Sequence, residues 1–146
     1  MKPVLLDVNT LLALLDPLHV FHEQAHQWFS RRAAAGWRTC GATINGVIRI
    51  ASQPAYPNHL GTPGAVADVA ARLLKDPRHE FVGRDVDLTR PGVIRSWAEI
   101  TPAHVTDVYL LALAVSAKCT LASFDRRIPA RVVVAGGMEA LELIPG

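Results

Sequence analysis

Cysteine is scarce in this chain of 146 residues: there are two, Cys40 and Cys119. Both sit in small or apolar settings, TCGAT and AKCTLAS. This excludes a disulfide framework and leaves two buried free thiols in a reducing compartment as the expectation. No apolar run reaches the roughly 18 residues that a membrane-crossing helix needs. The N-terminal run has Lys2 but is broken by Asp7 and Asn9 and lacks a signal-peptide cleavage pattern, which points to a cytoplasmic protein. Charge is thin at 19% of residues and is dispersed, so no acidic block or disordered tail has to be accommodated. What is present is apolar bulk, 50% of residues, enough at this length for one sizeable core and a single domain over residues 1–146. The net charge of +2, carried on 15 Lys and Arg that are nearly all Arg, suits a polyanionic substrate without requiring one.

The pattern along the chain alternates. Residues 3–7 (PVLLD) form a short buried strand, and Thr10 to Leu15 start a helix that Asp16 and Pro17 end. A longer helix runs from His19 to about Ala35, with Phe21, Ala25, Trp28 and Phe29 on one face, and Gly36 closes it. Trp37 to Cys40 is a strand, Thr43 to Ser52 a helix, and residues 53–61 (QPAYPNHLG) a loop. Thr62-Pro63 and Thr101-Pro102 each read as an N-cap followed by proline at the first helical position. Strands are expected at 80–83, 120–123 and 131–135. Short strands alternating with longer helices indicate parallel βαβ units, hence an α/β fold with helices on both faces of a mostly parallel sheet.

In such a sheet ligands bind at the carboxyl ends of the strands. Asp7 ends the first strand, Asp125 follows the strand TLAS, and Asp107 lies in the second turn of the helix that begins at Pro102 and feeds it. That helix is apolar nearly all round from Val108 to Ala117, so an ionised acid beside it needs a compensating charge or hydrogen bonds. Each acid also has a plain structural reading: Asp7 as a helix cap, Asp107 at a positive helix end, Asp125 in a strand-to-loop turn. Three acids gathered at one rim repel unless a cation sits among them, and hard oxygen ligands suit Mg²⁺ or Mn²⁺.

LLDVNTLLALL, HVTDVYLLALA and LASFDRRI, in this order, together with the W-x-T-C-x-x-T and T-P segments, resemble the PIN-domain ribonucleases, and more narrowly the VapC-type toxins of toxin–antitoxin pairs. The resemblance implies a three-layer α/β/α sandwich and an endoribonuclease using Mg²⁺ or Mn²⁺ to hydrolyse RNA. It further implies neutralisation by a small cognate antitoxin and a homodimer. By position, Asp7, Asp107 and Asp125 would be the catalytic and metal-binding acids, with Asn9 and Ser123 as supporting polar groups. One departure stands out. Family members commonly carry a fourth acid, usually Glu, early in the helix after the second strand, where this chain has Ile44 and Asn45. No Asp or Glu occurs between Ala33 and Ala67, so Glu99, Asp85 or Asp87 would have to substitute.

Other signals compete. HEQAH, His22 to His26, matches the zinc-peptidase motif but lacks a third ligand at recognisable spacing. Six scattered histidines permit a metal-free ribonuclease. Arg126 and Arg127, with Arg49 and Arg95, are candidates for RNA phosphate contacts, and Trp37 and Trp97 for base stacking or core packing. The missing fourth acid also admits a degenerate domain that only binds a partner or RNA.

Overall fold

The protein is described by a computed structural model covering residues 1–146. The chain runs β1 (Val4–Leu6), α1 (Val8–Leu15), α2 (His22–Arg32), β2 (Trp37–Thr39), α3 (Gly41–Ala51), α4 (Pro63–Leu73) and β3 (His79–Phe81). It continues through α5 (Val105–Ser116), β4 (Thr120–Ser123), α6 (Gly137–Ala140) and β5 (Leu141–Leu143). All strand pairs are parallel, in the order β3-β2-β1-β4-β5. This is the expected three-layer arrangement.

The pleat of β1 distributes its side chains between the two faces. Val4 and Leu6 enter a core shared with α1, α2 and α3, while Leu5 enters a second core built largely from α5. All three are wholly buried, each contributing about 1.5–3 kcal/mol of apolar transfer free energy. The α5 residues Leu110, Leu111, Leu113 and Ala114 are equally buried, which is why this helix has no polar face over that stretch. Gly36 takes φ +94°, a conformation open to glycine, and its carbonyl accepts the Val4 N–H at 3.1 Å. Cys40 and Cys119 are buried free thiols, and no helix is long and apolar enough to cross a membrane.

Buried polar groups fasten the layers. Arg32 at the end of α2 reaches Glu142 on β5, its Nε donating to both carboxylate oxygens at 2.9 and 3.0 Å. Its Nη2 donates to the Lys2 carbonyl at 2.8 Å and to the Thr120 hydroxyl at 3.2 Å, and the Trp28 indole donates to Glu142 at 3.1 Å. Asp16, wholly buried after α1, accepts the Leu18 N–H at 3.0 Å, the Asn58 amide at 2.8 Å and the Tyr56 hydroxyl. It thereby ties the proline-rich loop to the first helix.

Two sequence expectations need correction. Residues 131–135 are not a strand: Ala130–Val132 form a 3₁₀ turn, and only an isolated antiparallel bridge, Ile94 to Val133, follows. The run is apolar because Val132 and Val133 are buried, and burial of a short run does not specify its backbone. The fifth strand is instead Leu141–Leu143. The helix expected from Pro102 begins as a 3₁₀ turn, Pro102–His104, so Asp107 lies in the first turn of α5 and not in its second.

Candidate metal centre

The strand order changes direction between β1 and β4, and the crevice at their carboxyl ends is where an open α/β sheet binds ligands. The register pairs Leu6 with Ala122, so Asp7 and Ser123 leave the sheet side by side. A cleft of about 470 Å³ opens there, lined by Asp7, Asn9, Asp107, Ser123 and Asp125. All three acids expected at the rim, and both supporting polar residues, therefore face one space.

Each acid is positioned differently. Asp7 is 3% exposed and caps α1, its Oδ1 accepting the Thr10 N–H at 2.8 Å. The capping role and the cleft position are thus held by one residue. Burial pushes its pKa up against the opposing pull of Ser123 and Thr10, and the charge of Asp125 adds to the rise. Asp107 is pushed up to about 6, first by burial and then by the charges of Asp7 and Asp125, with His104 opposing. For Asp125 burial also disfavours the charge, but hydrogen bonds from Arg127 and His104 prevail and hold the carboxyl below its usual range. Its Oδ1 accepts the Arg127 N–H at 2.8 Å and Nε at 3.2 Å, and its own N–H donates to Ser123 Oγ at 3.0 Å.

His104 is the residue that sequence reasoning did not bring to this site. Its Nε2 lies 3.1 Å from Asp125 Oδ2, and one ligand atom each of His104, Asp107 and Asp125 fall within 4.8 Å of one another. The signal was available: His104 and Asp107 are three positions apart at a helix start, the spacing that places side chains together. Two ionisable carboxylates and an imidazole at this separation, with Asp7 behind them, form a donor set that fits a divalent cation. The mutual repulsion expressed in Asp107 is what such a cation would relieve.

Helix α3 also lines the cleft. Gly46 allows the close approach, since a Cβ there would meet Val8 Cγ2 at 2.8 Å. Arg49 and Ile50 follow it on the same side, whereas the exposed Asn45 and half-buried Ile44 do not line the cleft. Where an acid was expected from this helix, the cleft meets the cation of Arg49, which is exposed and engaged in no ion pair. Glu99 is bound to Arg131, Asp85 to Tyr109 and Asp87 to Thr89, and none of the three borders the cleft.

The remaining candidates have other placements. Asn9, at the cleft mouth, lies with Oδ1 3.0 Å from His19 Nε2. Arg127 is committed to Asp125, while Arg126 is exposed and makes no protein hydrogen bond. Arg95 bonds the Arg131 carbonyl at 3.3 Å, away from the acids. Trp37 is wholly buried against Phe29, and Trp97 is half exposed. The HEQAH histidines serve α1: His22 Nδ1 meets the Ala13 carbonyl at 2.7 Å and His26 Nε2 the Leu14 carbonyl at 2.9 Å. These are carbonyls of a helix end, which lack intrahelical partners, and no third metal ligand stands beside the pair.

The chain is similar to known proteins over most of its length. The chain is similar to Ribonuclease VapC44 of Mycobacterium tuberculosis, 43% identical over 124 residues that cover 85% of this chain and 87% of that protein. It is 36% identical over 128 residues to Ribonuclease VapC38 of the same organism, covering 83% and 84% of the two chains. Ribonuclease VapC39 is 37% identical over 122 residues, covering 83% and 87%. The family profile for the PIN domain matches residues 4–133, and the chain belongs to the PIN-domain family.

Proposed function

We propose that this protein is the endoribonuclease toxin of a toxin–antitoxin pair, hydrolysing RNA phosphodiester bonds with a divalent cation, Mg²⁺ or Mn²⁺, held by Asp7, Asp107 and Asp125. The observation that carries this reading is the meeting of those acids in one cleft at the β1/β4 crevice, in a chain whose relatives are named ribonucleases. A cation bound there supplies Lewis-acid polarisation of a phosphoryl oxygen and lowers the pKa of an attacking water.

The protein's own groups set the geometry. Asp107 and Asp125 present their carboxylates from two elements, and Asp7 stands beneath them on the strand end. Ser123 fixes the loop that carries Asp125 by accepting its N–H. Arg49, lining the same cleft and free of carboxylate partners, offers a bidentate grip for a substrate phosphate. With acids and a guanidinium lining one cleft, it suits a phosphodiester held by a cation and an arginine. The partners that go with this reading are the RNA substrate, a small antitoxin protein and a second copy of the chain. A binding-only domain or a zinc peptidase has no observation in its favour.

The test is cleavage of total cellular RNA by the purified protein with Mg²⁺ or Mn²⁺, against the Asp7→Asn variant. Cleavage is expected in the parent, is lost with EDTA and is absent from the variant, whose side chain keeps its volume and its capping oxygen. A folded parent that leaves RNA intact with either ion would overturn the reading.

A further inference from the structure

We propose that His104 is a direct ligand of the cation, so that this centre carries a nitrogen donor and prefers Mn²⁺ to Mg²⁺. The proposal rests on the reading of the acids as a metal site and goes beyond it in naming a donor outside the carboxylate set. His104, Asp107 and Asp125 form the one group of three potential ligands in the molecule whose donor atoms lie within 4.8 Å of one another. Asp7 stands outside that trio, with one oxygen committed to the Thr10 N–H.

The histidine is built into place. Its side chain is 14% exposed, on the 3₁₀ turn that runs directly into α5, so backbone geometry fixes its distance from Asp107. Its Nδ1 lies 3.3 Å from the Thr101 hydroxyl. In the metal-free protein Nε2–H donates to Asp125; with a cation bound, an Nδ1–H donated to the Thr101 oxygen instead would leave the Nε2 lone pair free to coordinate. Metal-bound histidines are oriented in this way, the second nitrogen donating to a fixed acceptor. Asp125 is complementary: Arg127 holds Oδ1, which turns Oδ2 toward Nε2.

Donor chemistry then decides the ion. Mg²⁺ is hard, holds to oxygen and demands near-ideal octahedral geometry, whereas Mn²⁺, also at home among carboxylates, is the softer transition ion of the two and accepts an imidazole more readily. The α3 wall contributes Arg49 and no acid, so the coordination that a helix-borne carboxylate would supply is absent and a nitrogen donor stands beside the acids.

Mn²⁺-loaded full-length protein, studied by pulsed electron paramagnetic resonance, tests this directly. A ¹⁴N modulation from a coordinated imidazole is expected in the parent and is lost in His104→Gln. That variant should bind Mn²⁺ roughly tenfold more weakly, by titration of free Mn²⁺, with Mg²⁺ affinity changed less than about twofold. Asp107→Asn should lose both ions. Mn²⁺ that binds the parent, depends on Asp107 and shows no ¹⁴N modulation would remove His104 from the shell and leave the carboxylate site standing. A ¹⁴N signal persisting in His104→Gln would do the same. Mn²⁺ binding that is indifferent to Asp107→Asn, or absent from the parent, would overturn the metal reading itself and this proposal with it.

Discussion

Asp107→Asn is expected to lower metal-dependent RNA cleavage by at least about a hundredfold while raising the melting temperature of the metal-free protein. The first effect follows from removing a charge at the centre of the acid cluster; loss of outer-shell partners alone costs 10–100-fold at metal sites. The second follows from its pKa, raised to about 6 by burial and by the charges of Asp7 and Asp125. A folded-state pKa above the unfolded value of 3.8 means that the native state holds the proton more tightly. The stability Asp107 contributes is therefore fully present below about pH 4 and is lost as pH rises through about 6. At pH 7 the ionised group strains the native state by about 1 kcal/mol, after discounting for its partial exposure to solvent. A neutral amide removes that strain, and a melting temperature about 2–4 °C higher is expected. The same substitution should flatten the decline in stability between pH 4 and 6, leaving the part due to Asp7. Calorimetry of the EDTA-treated proteins across this range reads both quantities. A variant that melts lower than the parent at pH 7 would show that Asp107 is a structural hydrogen-bond acceptor and not a repelled charge.

Arg32→Ala should be among the most damaging single changes outside the cleft, costing about 3 kcal/mol and about 6–12 °C in melting temperature. The arginine side chain is 8% exposed, and its removal strands the Glu142 carboxylate, the Lys2 carbonyl and the Thr120 hydroxyl together. Glu142 retains 27% exposure and the Trp28 indole, which places the cost at the lower end for a broken buried pair. Removing both charges at once is expected to recover much of the loss, because the penalty lies in the unpaired charge rather than in the absent bond. Denaturant unfolding of Arg32→Met, Glu142→Leu and the pair closes the cycle. A double variant as unstable as Arg32→Met would assign the cost to the lost hydrogen bonds and not to the stranded charge.

How much of this was legible in the sequence depended on which physical signal each part carried. Asp7 was plain, since a carboxylate closing PVLL interrupts burial, and the structure shows it capping α1 while lining the cleft. Asp107 announced itself by the apolar helix behind it, although the 3₁₀ start moved it into the first turn. RVVVA misled because its valines are buried by turns packed on α5 and not by strand pairing. LEL was invisible as a strand: three residues cannot show a period, and its central glutamate is drawn inward by Arg32 and Trp28, partners more than a hundred positions away. Arg49 could be nominated as a phosphate contact, but its place in the cleft with the acids depends on how closely α3 approaches α1 at Gly46, which no local pattern encodes. HEQAH shows the converse: a spacing that matches a metal motif was a helix turn presenting two rings to the carbonyls of another helix.

The pairing of β1 with β4 has a consequence for the order in which the molecule comes into being. The Thr10 hydroxyl meets the Ala122 carbonyl across 112 positions, so the two sides of the crevice leave the ribosome far apart in time. At about 5–20 residues per second the interval is roughly 6–20 s. During it the nascent chain exposes β1 with Asp7 at its tip and has neither Asp107 nor Asp125 beside it. For the proposed ribonuclease this is a built-in delay: the machinery making the enzyme is also the richest RNA nearby, and the cleft closes around its acids only after Asp125 has been made.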